Sequence, residues 1–253
     1  MTDPALVRRL EAHAVEAWPA TVTERVDGGW VLRATPGLDR GRSNHALTPC
    51  RSLDDAEIPG AIARVEAFAR GQGVTTGIQV SPLSLHATLM AELDRREWGT
   101  RWPVLVLAAE RSEDVWSGGA VDEAVTRTDR ATPEWLDTWQ RCEGRSREEV
   151  EAHAATVFAG LAGRATFARL GETAVGIAVE GDGLVGLFCL AVDPERRRSG
   201  LGTALVRALL AGSSASVAYL QVEEANAPAI GLYSRLGFGE AYRYCHRTAP
   251  PSN

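Results

Sequence analysis

The amino-acid sequence predicts a mixed α/β fold arranged as two related lobes. Three observations predict it. Strand-like and helical segments alternate along all 253 residues. One strand–helix–strand–helix order occurs twice, once in each half. A polar stretch, Glu110–Val115, followed by Ser117-Gly118-Gly119, separates the halves, and all seven tryptophans (Trp18, Trp30, Trp98, Trp102, Trp116, Trp135, Trp139) precede residue 140. The chain is therefore expected to divide into 1–115 and 116–253.

In the first half, Ala5 to Trp18 carries a helical pattern stopped by Pro19, which cannot continue a helix. Gly28-Gly29 reads as a turn between strands, the second opening with Trp30-Val31-Leu32-Arg33. Ala61 to Arg70 predicts an amphipathic helix with Ile62, Val65 and Ala69 on one face. Ile78-Gln79-Val80 reads as a short strand, Leu85 to Arg96 as a helix and Pro103 to Ala109 as a buried strand.

In the second half, a strand over Ala120–Thr126 leads to helices over Pro133–Cys142 and Arg147–Leu161. Arg164–Leu170, Ala174–Glu180 and Leu184–Val192 follow as strands, joined by turns at Gly171-Glu172 and Gly181-Asp182-Gly183. A helix over Gly200–Ala211, a strand over Ser216–Val222, a helix over Ala227–Leu236 and a strand over Ala241–Arg247 complete the chain. The echo between halves is close in spacing: Leu47 to Gln79 spans 32 positions and Leu190 to Gln221 spans 31. Trp98-Gly99 also stands where the second copy has Phe238-Gly239.

Composition narrows the function. A net charge of −6 argues against a nucleic-acid partner, which calls for a basic face. No apolar run reaches the ~20 residues of a membrane span, and the N-terminus lacks an apolar signal core, so a cytoplasmic location is expected. Cys50, Cys142, Cys189 and Cys245 are far apart, and no two histidines stand at i,i+4. Neither a disulfide framework nor a metal site is expected.

The segment Val192-Asp193-Pro194-Glu195-Arg196-Arg197-Arg198-Ser199-Gly200-Leu201-Gly202-Thr203 carries the strongest chemistry. A strand ends in three arginines, and two glycines then open a helix. Glycine lets a ligand approach the backbone, and a helix N-terminus presents unsatisfied N–H groups and partial positive charge. A solvated basic turn would explain the arginines alone. It would not explain glycines in a first helical turn, where they cost helix propensity. A pyrophosphate is the expected occupant.

These residues resemble the GNAT superfamily of acyl-CoA-dependent N-acyltransferases. Arg197-x-x-Gly200-x-Gly202 is similar to its R/Q-x-x-G-x-G/A signature, and Leu220–Phe238 resembles its second motif, where Asn226 opens a helix bearing Tyr233 and ending in Gly237-Phe238. The resemblance covers about Val121 to Arg247. It implies two GNAT-like lobes, each a mixed, mostly antiparallel sheet flanked by helices, and an acetyl-CoA co-substrate without metal. It also implies residue roles. Backbone groups of Leu190, Ala191 and Val192 would pair with the pantetheine arm. Arg197 with Arg198, Ser199, Gly200, Leu201, Gly202 and Thr203 would hold the pyrophosphate. Asn226 would contact the cofactor arm, although Asn before Pro228 is also a favoured helix cap. Tyr233 would protonate the leaving thiolate, and a backbone N–H late in the Leu184–Val192 strand would hold the oxyanion.

No single general base stands out among Glu180, Asp182, Glu223 and Glu224, and His153 suits a structural place. Trp135 and Trp139 at i,i+4 suit core packing better than an acceptor site. In the first half, Arg51–Gly60 replaces the arginines with acids and lacks the glycine pair, so it is expected not to bind coenzyme A. Its Gly28–Arg33 and Arg42-Ser43-Asn44 resemble the N-terminal repeat of two-repeat GNAT proteins. The expected reaction is acetyl transfer to a primary amine of a small molecule or protein, by a monomer or homodimer. A non-catalytic acyl-CoA sensor is the alternative.

Overall fold

A computed structural model describes residues 3–85, 87–112, 116 and 125–251. The chain forms two compact units, neither of them a single stretch of sequence. One gathers Met1–Arg9, Trp18–Leu105 and Ala241–Asn253, the other Leu10–Ala17 and Val106–Glu240. Helix α1 (Pro4–Ala17) and strand β5 (Gly99–Glu110) each contribute residues to both.

The first unit holds β1 (Val22–Arg25), β2 (Val31–Ala34), β3 (Ala46–Leu47) and β4 (Gly77–Val80). Antiparallel β1 and β2 are joined through Gly28 and Gly29, both at φ +83°, a conformation glycine adopts without steric cost. The short helix α2 (Gly41–Asn44) precedes β3, which runs antiparallel to β2 and parallel to β4. Helix α3 (Ile58–Gln72) starts with Pro59 in its first turn and stops at Gly73 in the left-handed region. Its Ile62, Val65 and Ala69 are buried, as the periodicity predicts. With Trp30, Leu32, Ile78, Val80, Leu89, Leu93 and Trp98 this face makes the unit's core. Helix α4 (Ala87–Arg95) matches the predicted Leu85–Arg96 helix, His86 lying outside the described residues. The strand on the far side of β4 is the last of the chain, β11 (Gly239–Thr248), antiparallel with Cys245 opposite Val80.

The second unit holds β6 (Val125–Thr128), β7 (Ala165–Leu170), β8 (Ala174–Gly181), β9 (Leu184–Val192) and β10 (Val217–Glu223). The ladders β6/β7, β7/β8 and β8/β9 are antiparallel, and β9/β10 is parallel. The β8–β9 hairpin turns through Asp182 and Gly183, at φ +52° and +73°. The expected strand over Ala120–Thr126 is described only from Val125, and Ser117-Gly118-Gly119 lies outside the described residues. Helix α5 (Pro133–Glu143) is capped by Thr132, whose hydroxyl accepts the Trp135 N–H. Helix α6 (Arg147–His153) opens with a capping box between Ser146 and Glu149. The predicted helix to Leu161 continues from α6 through a π-helical stretch, Ala154–Phe158. Helices α7 (Leu201–Leu210) and α8 (Ala227–Arg235) complete the unit.

The order β3-α3-β4-α4-β5 thus matches β9-α7-β10-α8-β11, with a parallel strand pair in each. Several predicted boundaries moved. α3 begins at Ile58 rather than Ala61. β5 begins at Gly99 rather than Pro103, and β11 at Gly239 rather than Ala241, because extended backbone continues past the apolar run that flags a strand.

Candidate active site

Strand β9 changes partners halfway along. Its ladder with β10 runs from Leu184 opposite Val217 to Leu187 opposite Leu220 and ends there, while β9 continues to Val192 and β10 to Glu223. On its other side β9 stays paired with β8, but the register shifts between Ile177↔Phe188 and Val175↔Ala191, so β9 spends one extra residue. The extra length is absorbed at Cys189, at φ +50°, an uncommon place for a residue with a Cβ. Gly176 makes room for the change: a Cβ there would lie 2.8 Å from Leu190 Cδ2 and from Leu209 Cδ1. Beyond Leu187 the β10-facing edge of β9, which includes Leu190, Ala191 and Val192, forms no ladder among the described residues.

The same strand delivers the chain into the arginine turn. The Asp193 N–H donates to the Thr173 carbonyl at 2.8 Å, and the Asp193 carboxylate accepts the Glu195 N–H at 2.9 Å. Ser199 Oγ donates to the Arg196 carbonyl at 2.5 Å and Arg197 Nε to the Val192 carbonyl at 3.4 Å. Arg198 sits at φ +63° and Gly200 at φ +86°. Arg196, Arg197 and Arg198 are exposed, and none forms an ion pair among the described residues. Gly200 is the N-cap of α7 and brings no capping side chain, so among the described residues the first N–H groups of α7 have neither a helical nor a side-chain partner.

The two glycines have different physical reasons. Gly200 supplies the left-handed turn, and space for a Cβ is open there. At Gly202 a Cβ would lie 2.7 Å from Leu232 Cδ1, so this glycine lets α8 pack against the start of α7. Sequence reading assigned both to ligand approach. For Gly202 the close approach is between helices.

Tyr233 follows Leu232 on α8 and is 9% exposed. Its ring meets Phe238 edge-on at 6.2 Å, and its hydroxyl makes no hydrogen bond among the described residues. Burial pushes its pKa up to about 12, so the phenol keeps its proton at neutral pH. Asn226 caps α8, its Oδ1 accepting the Ala229 N–H at 3.3 Å, and is otherwise exposed. The structure thus joins Leu190–Val192, the 197–203 turn and α8 in one unit, and gives Asn226 the capping place.

Trp135 and Trp139, each 1% exposed, stack at 5.9 Å among Phe158 and Phe167 and belong to the core. The Nδ1 of His153 lies 2.7 Å from the Glu149 carbonyl at the edge of that cluster. Glu180 is exposed and accepts from Ser214 Oγ at 3.4 Å, Glu223 is exposed, and Asp182 sits in the hairpin turn. A buried pair was not foreseen: His13 Nδ1 lies 2.8 Å from Tyr219 Oη. Its sequence trace is Gly181 and Gly186, where a Cβ would meet the His13 ring at 3.2 Å and Tyr219 Oη at 2.8 Å. Among the described residues no group of three or more potential ligands could hold a metal, and no helix is long and apolar enough to cross a membrane.

Comparison with known proteins adds four findings. Residues 4–247 match the family model described as "Probable histone acetyltransferase Rv0428c C-terminal". The chain is 27% identical over 252 residues, 95% of its length and 98% of the relative's, to the "Uncharacterized N-acetyltransferase YobR" of Bacillus subtilis strain 168. In fold it is similar to a GCN5-related N-acetyltransferase from Kribbella flavida (TM-score 0.67, 17% identity, 98% and 96% of the two chains). It is also similar in fold to a tandem GNAT protein from the clavulanic acid biosynthesis pathway (TM-score 0.61, 16% identity, 96% and 89%).

Proposed function

We infer the chemistry of this chain from one premise: it belongs to the Rv0428c C-terminal family of GNAT N-acetyltransferases. It is an acyltransferase. The reading we propose is transfer of an acetyl group from acetyl-CoA to a primary amine, with a small molecule as the acceptor and a protein amine as the other candidate. The observation that carries it is the parting of β9 from β10 after Leu187, directly beside an arginine turn and an uncapped helix start.

Each part fits one portion of the co-substrate. The unpaired edge at Leu190, Ala191 and Val192 offers backbone donors and acceptors to an extended amide-bearing arm, as an added strand would take them. The N–H groups from Arg198 through Ser199, Gly200, Leu201, Gly202 and Thr203 would hold the pyrophosphate, at a helix start without a capping side chain, and Arg197 would add long-range charge. The amide of Asn226 keeps donors beyond its capping bond and would contact the arm. A neutral amine attacking the thioester carbonyl builds negative charge on oxygen, and a backbone N–H late in β9, near the bulge at Cys189, would stabilise it. Tyr233, held protonated by burial, would hand its proton to the departing thiolate.

At the level of the repeat, residues 116–253 would carry catalysis and 1–115 a copy that has lost its arginine–glycine turn, in a cytoplasmic monomer or homodimer. Calorimetric titration of acetyl-CoA into the protein and into Gly202→Glu tests the reading. Binding by the wild type that the folded variant loses supports it, followed by amine-dependent thiol release. Absence of binding by the wild type would refute it.

A further inference from the structure

The first unit buries two arginines to the same depth and treats them differently. Arg247 and Arg33 are each 3% exposed. Arg247 donates to the Asp94 carboxylate at 2.5 Å and to the Trp98 carbonyl at 2.5 Å. Arg33 has no carboxylate partner among the described residues. Among the described residues its side chain makes one hydrogen bond, from Nε to the His45 carbonyl at 3.0 Å, and its buried Nη2 makes none. The groups that act on its charge are the Tyr244 phenol and a second cation, Arg42. An uncompensated buried cation costs several kcal/mol, and a fold keeps one only where something offsets that cost.

Apart from the Tyr244 phenol, which favours the cation, the neighbouring rings bring no negative charge. His45 Nδ1 lies 2.8 Å from His246 Nδ1, so one ring donates and the other accepts. Both rings are held neutral, their pKa values pushed down by burial and by the cations around them. Asn44 pins the approach, its amide oxygen accepting the Thr35 N–H at 2.7 Å and its amide nitrogen donating to the Leu38 carbonyl. Over the pair stands Trp102, 46% exposed, stacked on His45 at 6.1 Å and edge-on to His246 at 5.8 Å. Most of the unit's large apolar side chains are buried. This indole lies open beside the histidine pair, whose His45 carbonyl accepts from Arg33.

We propose that Arg33, with Arg42, His45 and His246 around it and Trp102 as its outer platform, forms a binding site in the first unit for a small organic anion. The anion is a carboxylate or phosphate monoester taken by the guanidinium fork, with a planar portion resting on the indole. This site uses none of the residues assigned to acetyl transfer. Arg33 supplies the charge and the unpaired donor, and the neutral histidine pair supplies one ring N–H without a competing carboxylate. The ligand provides the counter-ion that Asp94 provides for Arg247.

The test is thermal unfolding and calorimetry of the full chain with benzoate, phenyl phosphate and inorganic phosphate, at ionic strength held constant with chloride. Wild type should gain about 3–5 °C in Tm at a ligand concentration about tenfold above Kd. Arg33→Met should lose that gain and Trp102→Ala should weaken it at least tenfold for the two aromatic probes. The Arg33-dependent part of the response separates this site from phosphate held at the arginine turn of the second unit. Benzoate alone active marks a carboxylate site, and phenyl phosphate alone a phosphate site. Arg33→Met, without ligand, should unfold at or above the wild-type temperature, because it removes an unmatched buried charge. A variant that unfolds well below wild type while still showing the full anion response would overturn the proposal, as would the absence of any Arg33-dependent response.

Discussion

At Tyr233 two facts combine: the hydroxyl has no partner among the described residues, and burial raises its pKa to about 12. A group so placed can donate a proton and does not compete as an anion. Tyr233→Phe is therefore expected to lower kcat about 10²-fold or more while leaving the calorimetric Kd for acetyl-CoA within about twofold. A drop in binding with unchanged turnover would assign the residue to packing instead. Gly202 was legible as a glycine that matters, but its reason was not. A G-x-G pattern marks close approach without saying what approaches, and here Leu232 does.

At the scale of elements, the split of β9 between two partners depends on the bulge at Cys189 and on the small residues beside it. Gly176→Val would push against Leu190, Leu205 and Leu209 together. Overpacking of this kind costs about 1–3 kcal/mol and should also weaken acetyl-CoA binding, read by denaturant unfolding and calorimetry on one sample. In the first unit, a Cβ on Gly77 would fall 2.3 Å from the buried His45 ring. Gly77→Ala is expected to lower Tm by several degrees, because neither a ring in a packed core nor a paired strand can yield. The element types themselves were largely readable, because apolar periodicity and cap residues are local signals. Helix α5 opens at Pro133, one residue after its Thr132 cap, and β9 ends at Val192, both where the sequence placed them. The π-helical stretch at Ala154–Phe158 was not readable, since nothing in its composition separates i→i+5 from i→i+4 bonding.

For the whole molecule, pH response follows from the histidine pair. The folded pKa values of His45 and His246 fall from 6.5 to about 3 and about 2. Below pH ~6.5 the unfolded chain takes up protons that the folded chain refuses, so this contribution to stability is complete above that pH. It declines as pH falls from there toward 3, by up to about 1.4 kcal/mol per pH unit for each histidine. Chemical unfolding at pH 7 and pH 5 should show the loss, and His246→Phe should flatten the profile over that window. An unchanged profile in that variant would place the acid sensitivity elsewhere.

The sequence by itself determined the strands and helices of both halves, the arginine–glycine turn, the Asn226 cap and family membership. Each of these depends on residues close together in the chain, where spacing and residue type leave few alternatives. Only the tertiary structure decided that the strand beside β4 is the chain's own C-terminal strand, β11, and that Gly202 yields to Leu232. It alone brought His45 to His246 and left Arg33 without the carboxylate that Arg247 has. These contacts join residues far apart in sequence, and their partners are set by which surfaces meet once the core closes, a choice that no local pattern encodes.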